Sequence, residues 1–173
     1  MFDEFNILKL FFEEPNREFN VREIARILKI SPPTISSKLK SFVKLRILKY
    51  RKKRILDLYK SDLDSEDYLD LKRFYLLRQL KEIGLIDYLN HFYLKPTIVL
   101  FGSCADGLDT ELSDIDLVII SENSKIADLK KFEKKLKRKI QLVIAKDVKS
   151  LKNEHLINNV INGLVLQGAI KWI

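Results

Sequence analysis

The sequence predicts an α+β chain in three segments: a basic N-terminal unit of helices and a hairpin, a helical connector, and a C-terminal unit of short strands with flanking helices. Three observations predict it. In the first half, apolar residues recur at helical spacing, as at Phe5, Leu8, Phe11 and Phe12. In the second half, short unbroken apolar runs, such as Ile98-Val99-Leu100-Phe101, read as buried strands. Between them the sign of the charge reverses near residue 61, which marks a change of structural unit. The expected boundaries are 1–60, 61–95 and 96–173.

Composition narrows the function classes. The 173 residues carry 32 Lys+Arg against 24 Asp+Glu, a formal charge of +8, with 46% hydrophobic residues, enough for a core. One cysteine, Cys104, excludes an internal disulfide and a cysteine-rich zinc module. Two histidines, His91 and His155, argue against a multi-histidine metal site. The longest charge-free stretch, His155 to Ile170, is short and broken by Asn158, Asn159, Asn162 and Gln167, so no membrane span is expected. Asp3 and Glu4 with no basic lead-in do not suit a signal peptide, and the expected location is cytoplasmic.

The N-terminal unit begins with a helix that Pro15 ends. A second helix is expected to be capped by Asn20, with Glu23 three residues on as in a capping box and Ile24, Ile27 and Leu28 inward. Ser31 suits an N-cap and Pro32 a first helical position, opening a third helix with Ile35, Leu39, Phe42 and Val43 inward. Its other face carries Thr34, Ser36, Ser37, Lys38, Lys40 and Ser41. Ile47 to Tyr50 and Ile55 to Tyr59 then read as two strands, with Arg51, Lys52, Lys53 and Arg54 at the hairpin tip. Between Lys38 and Lys60 ten basic residues face one acid, Asp57. Helix, turn and helix with small hydroxyl and basic side chains, followed by a basic hairpin, resembles a winged helix-turn-helix domain. That resemblance implies DNA as a partner. Thr34, Ser36, Ser37, Lys38, Lys40, Arg51, Lys52, Lys53 and Arg54 are the expected contacts to bases and phosphates.

Tyr68, Leu71, Phe74, Tyr75 and Leu80 form an amphipathic stripe in the connector. Gly84 interrupts it, and Leu85, Ile86, Tyr88, Leu89 and Phe92 continue with a second stripe.

The chemistry lies between residues 96 and 146. The strand ending at Phe101 is followed by Gly102-Ser103, a loop with Gly107, and then Ser113 to Ile120 as a second strand. Residues i and i+2 of a strand share a face, so Asp114 and Asp116 point one way while Ile115, Leu117 and Ile119 point the other. Adjacent carboxylates repel unless a cation neutralises them, and Mg²⁺ (or Mn²⁺) takes one or two carboxylates plus phosphate oxygens. Gly102 lets a polyphosphate approach the backbone, and Ser103 offers an N–H and a hydroxyl.

Gly102-Ser103 followed by Ser113-Asp114-Ile115-Asp116-Leu117 resembles the signature of the polymerase-β-like nucleotidyltransferases, especially their minimal branch. The motif covers residues 97–120, and later elements fit that fold, with its small mixed sheet, to about residue 146. The resemblance implies nucleotidyl transfer from a nucleoside triphosphate, ATP first. Asp114 and Asp116 would be the catalytic metal ligands, and Gly102 and Ser103 would bind the β- and γ-phosphates. Two positions depart from the pattern. Asp106 stands where a basic residue often follows Gly-Ser-x-Ala, and Gln141 stands on the next strand where a third carboxylate is expected. Asp147 lies just beyond that strand.

Leu129, Phe132, Leu136 and Ile140 mark a helix in the basic stretch from Lys125 to Lys139. Its outer face is either simply solvated or an attraction for nucleic acid or triphosphate. Cys104 reads as a buried small side chain. Leu156, Val160 and Leu164, with Ile157, Ile161 and Val165, predict a terminal helix.

Two functions stand open on this sequence. One is an Mg-dependent nucleotidyltransferase fused to a DNA-binding module, in a branch that often supplies the antitoxin of a toxin–antitoxin pair with a small helical toxin as partner. The other is a non-catalytic DNA-binding regulator whose second domain binds nucleotide or a partner protein. Gln141 favours the second; the intact Gly102-Ser103 and paired aspartates favour the first. Self-association to a homo-oligomer is compatible with both.

Overall fold

The computed structural model describes residues 2–171. The chain divides into two compact units, Met1–Tyr75 and Leu76–Ile173, and the division falls inside one helix.

In the first unit, helix α1 (Phe2–Glu13) stops two residues before Pro15, whose ring disfavours helical backbone at Glu14. Strand β1 (Phe19–Asn20) leads into α2 (Val21–Leu28), where the Asn20 side chain accepts from the Glu23 N–H at 3.0 Å. The Glu23 carboxylate pairs with Arg17 rather than reaching back to close the capping box. Helix α3 (Pro32–Lys44) starts at Ser31, whose hydroxyl accepts from the Thr34 N–H, with proline in the first turn. Strands β2 (Leu48–Lys53) and β3 (Leu56–Ser61) form an antiparallel hairpin. β1 joins the far side of β3, giving the sheet order β1-β3-β2. Two residues forming a ladder rung are too short a stretch for side-chain alternation to reveal, so β1 is not legible in the sequence. Ile7, Phe11, Phe19, Ile24, Ile35, Leu39 and Leu48 fill the core with Tyr68 from helix α4 (Glu66–Glu82). The Phe11 carbonyl, in the last turn of α1, accepts from both Ser61 Oγ and Tyr68 Oη at 3.0 and 2.9 Å. These bonds satisfy an end that the helix itself leaves open.

The hairpin corrects one expectation. Lys53 pairs with Leu56, so the turn is Arg54-Ile55, and Arg51, Lys52 and Lys53 belong to β2 rather than to a tip. Arg54 takes the left-handed conformation (φ 56°) that a two-residue hairpin turn demands.

α4 enters the second unit at Leu76 and ends just before Gly84, which opens α5 (Leu85–Phe92). β4 (Thr97–Phe101), the single turn α6 (Ser103–Asp106) and β5 (Ile115–Ile120) follow. α7 (Lys130–Leu136) crosses over to β6 (Ile140–Ala145), which lies parallel to β5. A crossover helix is what a parallel neighbour requires. After a 3₁₀ turn (Val148–Ser150) come α8 (Glu154–Ile161) and β7 (Leu164–Gln167). The sheet order is β6-β5-β4-β7, with β4 antiparallel to both β5 and β7, so the sheet is mixed. Ile98, Leu100, Ile115, Leu117 and Ile119 face one core with α5 and Phe132. Val99, Phe101 and Val118 face a second core with Val148, Leu151 and Val160.

The C-terminal segment also departs from expectation. Leu164 and Val165 do not extend the helix; they pair with Leu100 and Val99 as β7. A Cβ at Gly163 would sit 2.5 Å from the Leu100 carbonyl oxygen and 2.9 Å from Val99 Cγ1. Only glycine lets the chain come that close to β4, and the approach ends the helix. Leu164 and Val165 suit either structure, and the edge of β4 decides between them.

Candidate functional site

Asp116 lies on β5 opposite Phe101 of β4 and beside Gln141 of β6. It points to the face that carries Val118 and Val99 and is half-buried there. Asp114 precedes the strand instead of starting it: the ladder begins where the Ile115 N–H donates to the Lys139 carbonyl at 2.9 Å. Its carboxylate nevertheless turns to the same place. Gln141 Nε2 donates to Asp114 Oδ2 at 2.6 Å. Burial, then the neighbouring Asp114 charge, push the Asp116 carboxyl above its ordinary value, and the Arg138 charge opposes this.

Gly102 is fitted to Asp116. A Cβ there would lie 2.9 Å from Asp116 Oδ2, and the backbone has φ 68°, ψ −159°, a region kept almost wholly for glycine. Ser103 opens α6, whose first N–H groups have no carbonyl of their own turn to bond. The structure thus brings Gly102, Ser103, Asp114, Asp116 and Gln141 to one end of the sheet. Asp106 is exposed on the outer side of α6. Asp147 does not complete the group: its side chain accepts from the Ser150 N–H at 2.7 Å as the cap of the 3₁₀ turn. Among the described residues no set of three His, Cys, Asp or Glu side chains has the arrangement of a metal site.

One residue of this region is not legible in the sequence. Arg138 belongs to the basic stretch before β6, yet its side chain is only 13% exposed and pairs with Asp109, 7% exposed, at 2.7 Å. Its guanidinium also donates to the Ser113 carbonyl at 2.7 Å, the Asp114 carbonyl at 3.3 Å and Cys104 Sγ at 3.0 Å. The available signal was its being the single arginine among lysines from Lys125 to Lys139, because only the guanidinium fork can serve several acceptors at once. Cys104 is fully buried, and desolvation, then the Asp109 charge, push its thiol up to about 12. It is therefore no nucleophile at neutral pH. The lysines of α7 are exposed, Lys131 with its ammonium over the rings of Tyr88 and Phe132.

In the first unit, Thr34, Ser37, Lys40, Ser41 and Lys44 form one exposed stripe along α3. Ser36 and Lys38 fall at its edges, half-buried, and Lys38 Nζ pairs with Glu4 of α1 at 2.6 Å. Thr34 shares its hydroxyl with Ser31 in the helix cap at 2.7 Å. On the hairpin, Lys52, Lys53 and Arg54 are exposed, while Arg51 pairs with Glu18 at 2.7 Å. Lys49 is held by Asp62 and Asp64. The basic stretch is thus partly neutralised by acids from outside it, which a count along the chain does not reveal.

Comparison with known proteins agrees with this division. Residues 5–50 match the family of bacterial regulatory proteins of the arsR type, and residues 82–166 match the nucleotidyltransferase domain family. The comparison with curated proteins returns no match. The second match runs from the end of α4 to Leu166, so it takes in both aspartates, Gln141 and most of β7. The chain joins an N-terminal helix-turn-helix domain of the arsR type to a domain of the nucleotidyltransferase family.

Proposed function

We propose that this protein transfers a nucleotidyl group from a nucleoside triphosphate, ATP in the first instance, to an acceptor hydroxyl, with pyrophosphate leaving and the hydroxyl proton passing to water, and that its first domain holds it on DNA. The observation that carries the reading is the placement of Asp114 and Asp116 against the Gly102-Ser103 turn. The donor set suits Mg²⁺ (or Mn²⁺). Two carboxylates, with Asp116 raised first by burial and then by its neighbour's charge, are the oxygen ligands such an ion takes, with phosphate and water oxygens completing the shell. Asp114 and Asp116 would hold it. When bound, it offsets the charge of the triphosphate and stabilises the attacking and leaving oxygens. Gly102 keeps the backbone side of the pocket open, and Ser103 supplies an N–H and a hydroxyl to the β- and γ-phosphates. Gln141 orients Asp114 through its amide, but it cannot accept a proton as a carboxylate does.

The acceptor we favour is a side-chain hydroxyl of a small helical toxin partner, with this protein as the antitoxin. The test is incubation with Mg²⁺, labelled ATP and the product of the neighbouring gene. Label on the partner, lost in Asp114→Asn and Asp116→Asn, is the expected result. Saturable ATP binding with no label on any acceptor overturns the transferase reading. That outcome favours the second one, a DNA-binding regulator whose nucleotidyltransferase domain binds nucleotide without turnover, for which Gln141 is the specific support.

A further inference from the structure

We propose that Arg138 is the positioning residue of the two-aspartate site, clamping the segment between α6 and β5 so that the Asp114 carboxylate is held facing Asp116. The segment from Gly107 to Asp114 has no regular structure of its own; a turn closed by Thr110 and Ser113 is its main local support. Asp114 is its last residue, so the placement of that carboxylate depends on what fixes the segment.

Arg138 fixes it at three points. Nη1 pairs with Asp109 in the middle of the segment. Nε and Nη2 take the Ser113 and Asp114 carbonyls at its end. Nη2 also reaches Cys104 on α6, whose thiol itself donates to the Asp114 carbonyl at 3.3 Å. The ion pair is largely out of water, so replacing either member removes the opposite charge from a largely buried group, a cost that the segment would relieve by opening. Arg138 immediately precedes Lys139, whose carbonyl starts the β5 ladder at Ile115. One stretch of chain thus anchors both the backbone of Asp114 and the strand that carries Asp116. A lysine at 138 carries the charge but not the planar fork, and it cannot hold three carbonyl or carboxylate oxygens in these directions.

Cys104 is the chain's single cysteine and is fully buried beneath the clamp, so its accessibility reports whether the segment is closed. The experiment treats the folded full-length protein with N-ethylmaleimide at neutral pH. Wild type is compared with Arg138→Gln, Arg138→Lys and Asp109→Asn. A control variant, Val160→Ala, lowers Tm from the opposite core. Opening of the segment should speed Cys104 modification on the order of tenfold or more in all three clamp variants, and not in the control at matched Tm. Wild-type reactivity in folded Arg138→Lys or Asp109→Asn overturns the proposal, as does equal acceleration in the control. Should Arg138→Gln not fold, the other two variants carry the test.

The role in positioning for transfer rests on the transferase reading above. There, kcat should fall on the order of tenfold to a hundredfold while KM for the triphosphate changes little, and Arg138→Lys should not restore it. A thiol effect with no transfer even in wild type retains the clamp and rejects the transferase. Transfer unchanged in clamp variants with accelerated thiol modification rejects the positioning role.

Discussion

The side-chain amide of Gln141 donates to Asp114 Oδ2 at 2.6 Å, while Gln141 stands beside Asp116 across the parallel β5–β6 ladder. A neutral donor therefore occupies the point where a third carboxylate would meet the other two. In the absence of a cation this is a stabilising arrangement, because the amide satisfies one carboxylate without adding charge. Gln141→Glu removes that donor and adds a negative charge. We expect the metal-free variant to melt a few degrees below wild type and to gain more from added Mg²⁺, since binding to the folded state raises Tm. Thermal denaturation with and without Mg²⁺ measures both. An equal Mg²⁺ response in the two proteins would show that position 141 does not face the ion.

The raised carboxyl of Asp116 makes a prediction of opposite sign. Its folded-state value is raised by burial and by Asp114, so its charged form destabilises the metal-free fold. That penalty is absent below the ordinary carboxylate value, grows as pH rises through the folded value, and is fully present at neutral pH. Asp116→Asn should therefore raise Tm by a few degrees at pH 7 in the presence of a chelator, and the gain should shrink as the pH is lowered through the carboxylate range. A variant no more stable than wild type at pH 7 contradicts the repulsion argument.

Gly102→Ala combines two costs. The backbone lies where only glycine sits without strain, and the new methyl would meet Asp116 Oδ2 at 2.9 Å. The expected loss of stability is about 1–3 kcal/mol. Urea denaturation gives the value, and label transfer in the surviving folded protein should drop with it because Asp116 must move aside. A neutral substitution would mean that Asp116 is not held against the turn.

On the DNA side, exposure separates residues that the chain order lumps together. Lys52→Ala and Lys53→Ala should each flatten the dependence of log K on log[salt] by about 0.9, because each variant neutralises one phosphate fewer and releases correspondingly fewer counterions. Lys38→Ala should change the slope less, because Lys38 already pairs with Glu4. Electrophoretic or anisotropy titrations over a salt series decide it. Equal slopes for all three variants and wild type would take the hairpin out of the interface.

The division between what the chain spells out and what folding adds follows the range of the interactions involved. Capping at Asn20 and Ser31 and the break at Gly84 depend on neighbours within a few residues. All were readable from spacing and residue chemistry alone. The strand that carries Gln141 was also legible from its apolar run, whereas its register beside Asp116 belongs to the parallel pairing of β5 with β6. The hairpin turn shifted to Arg54-Ile55 because cross-strand pairing, not the run of basic residues, sets its position. The exchange of a helix end for β7 depended on the open edge of β4, more than sixty residues earlier in the chain. Arg138 is the clearest case. In the sequence it is one cation in a basic stretch, and its partners Asp109, Ser113 and Cys104 lie 25 to 34 residues away. Charge and periodicity are local properties of a chain. The burial that converts a cation into a clamp exists only once distant segments have closed around it.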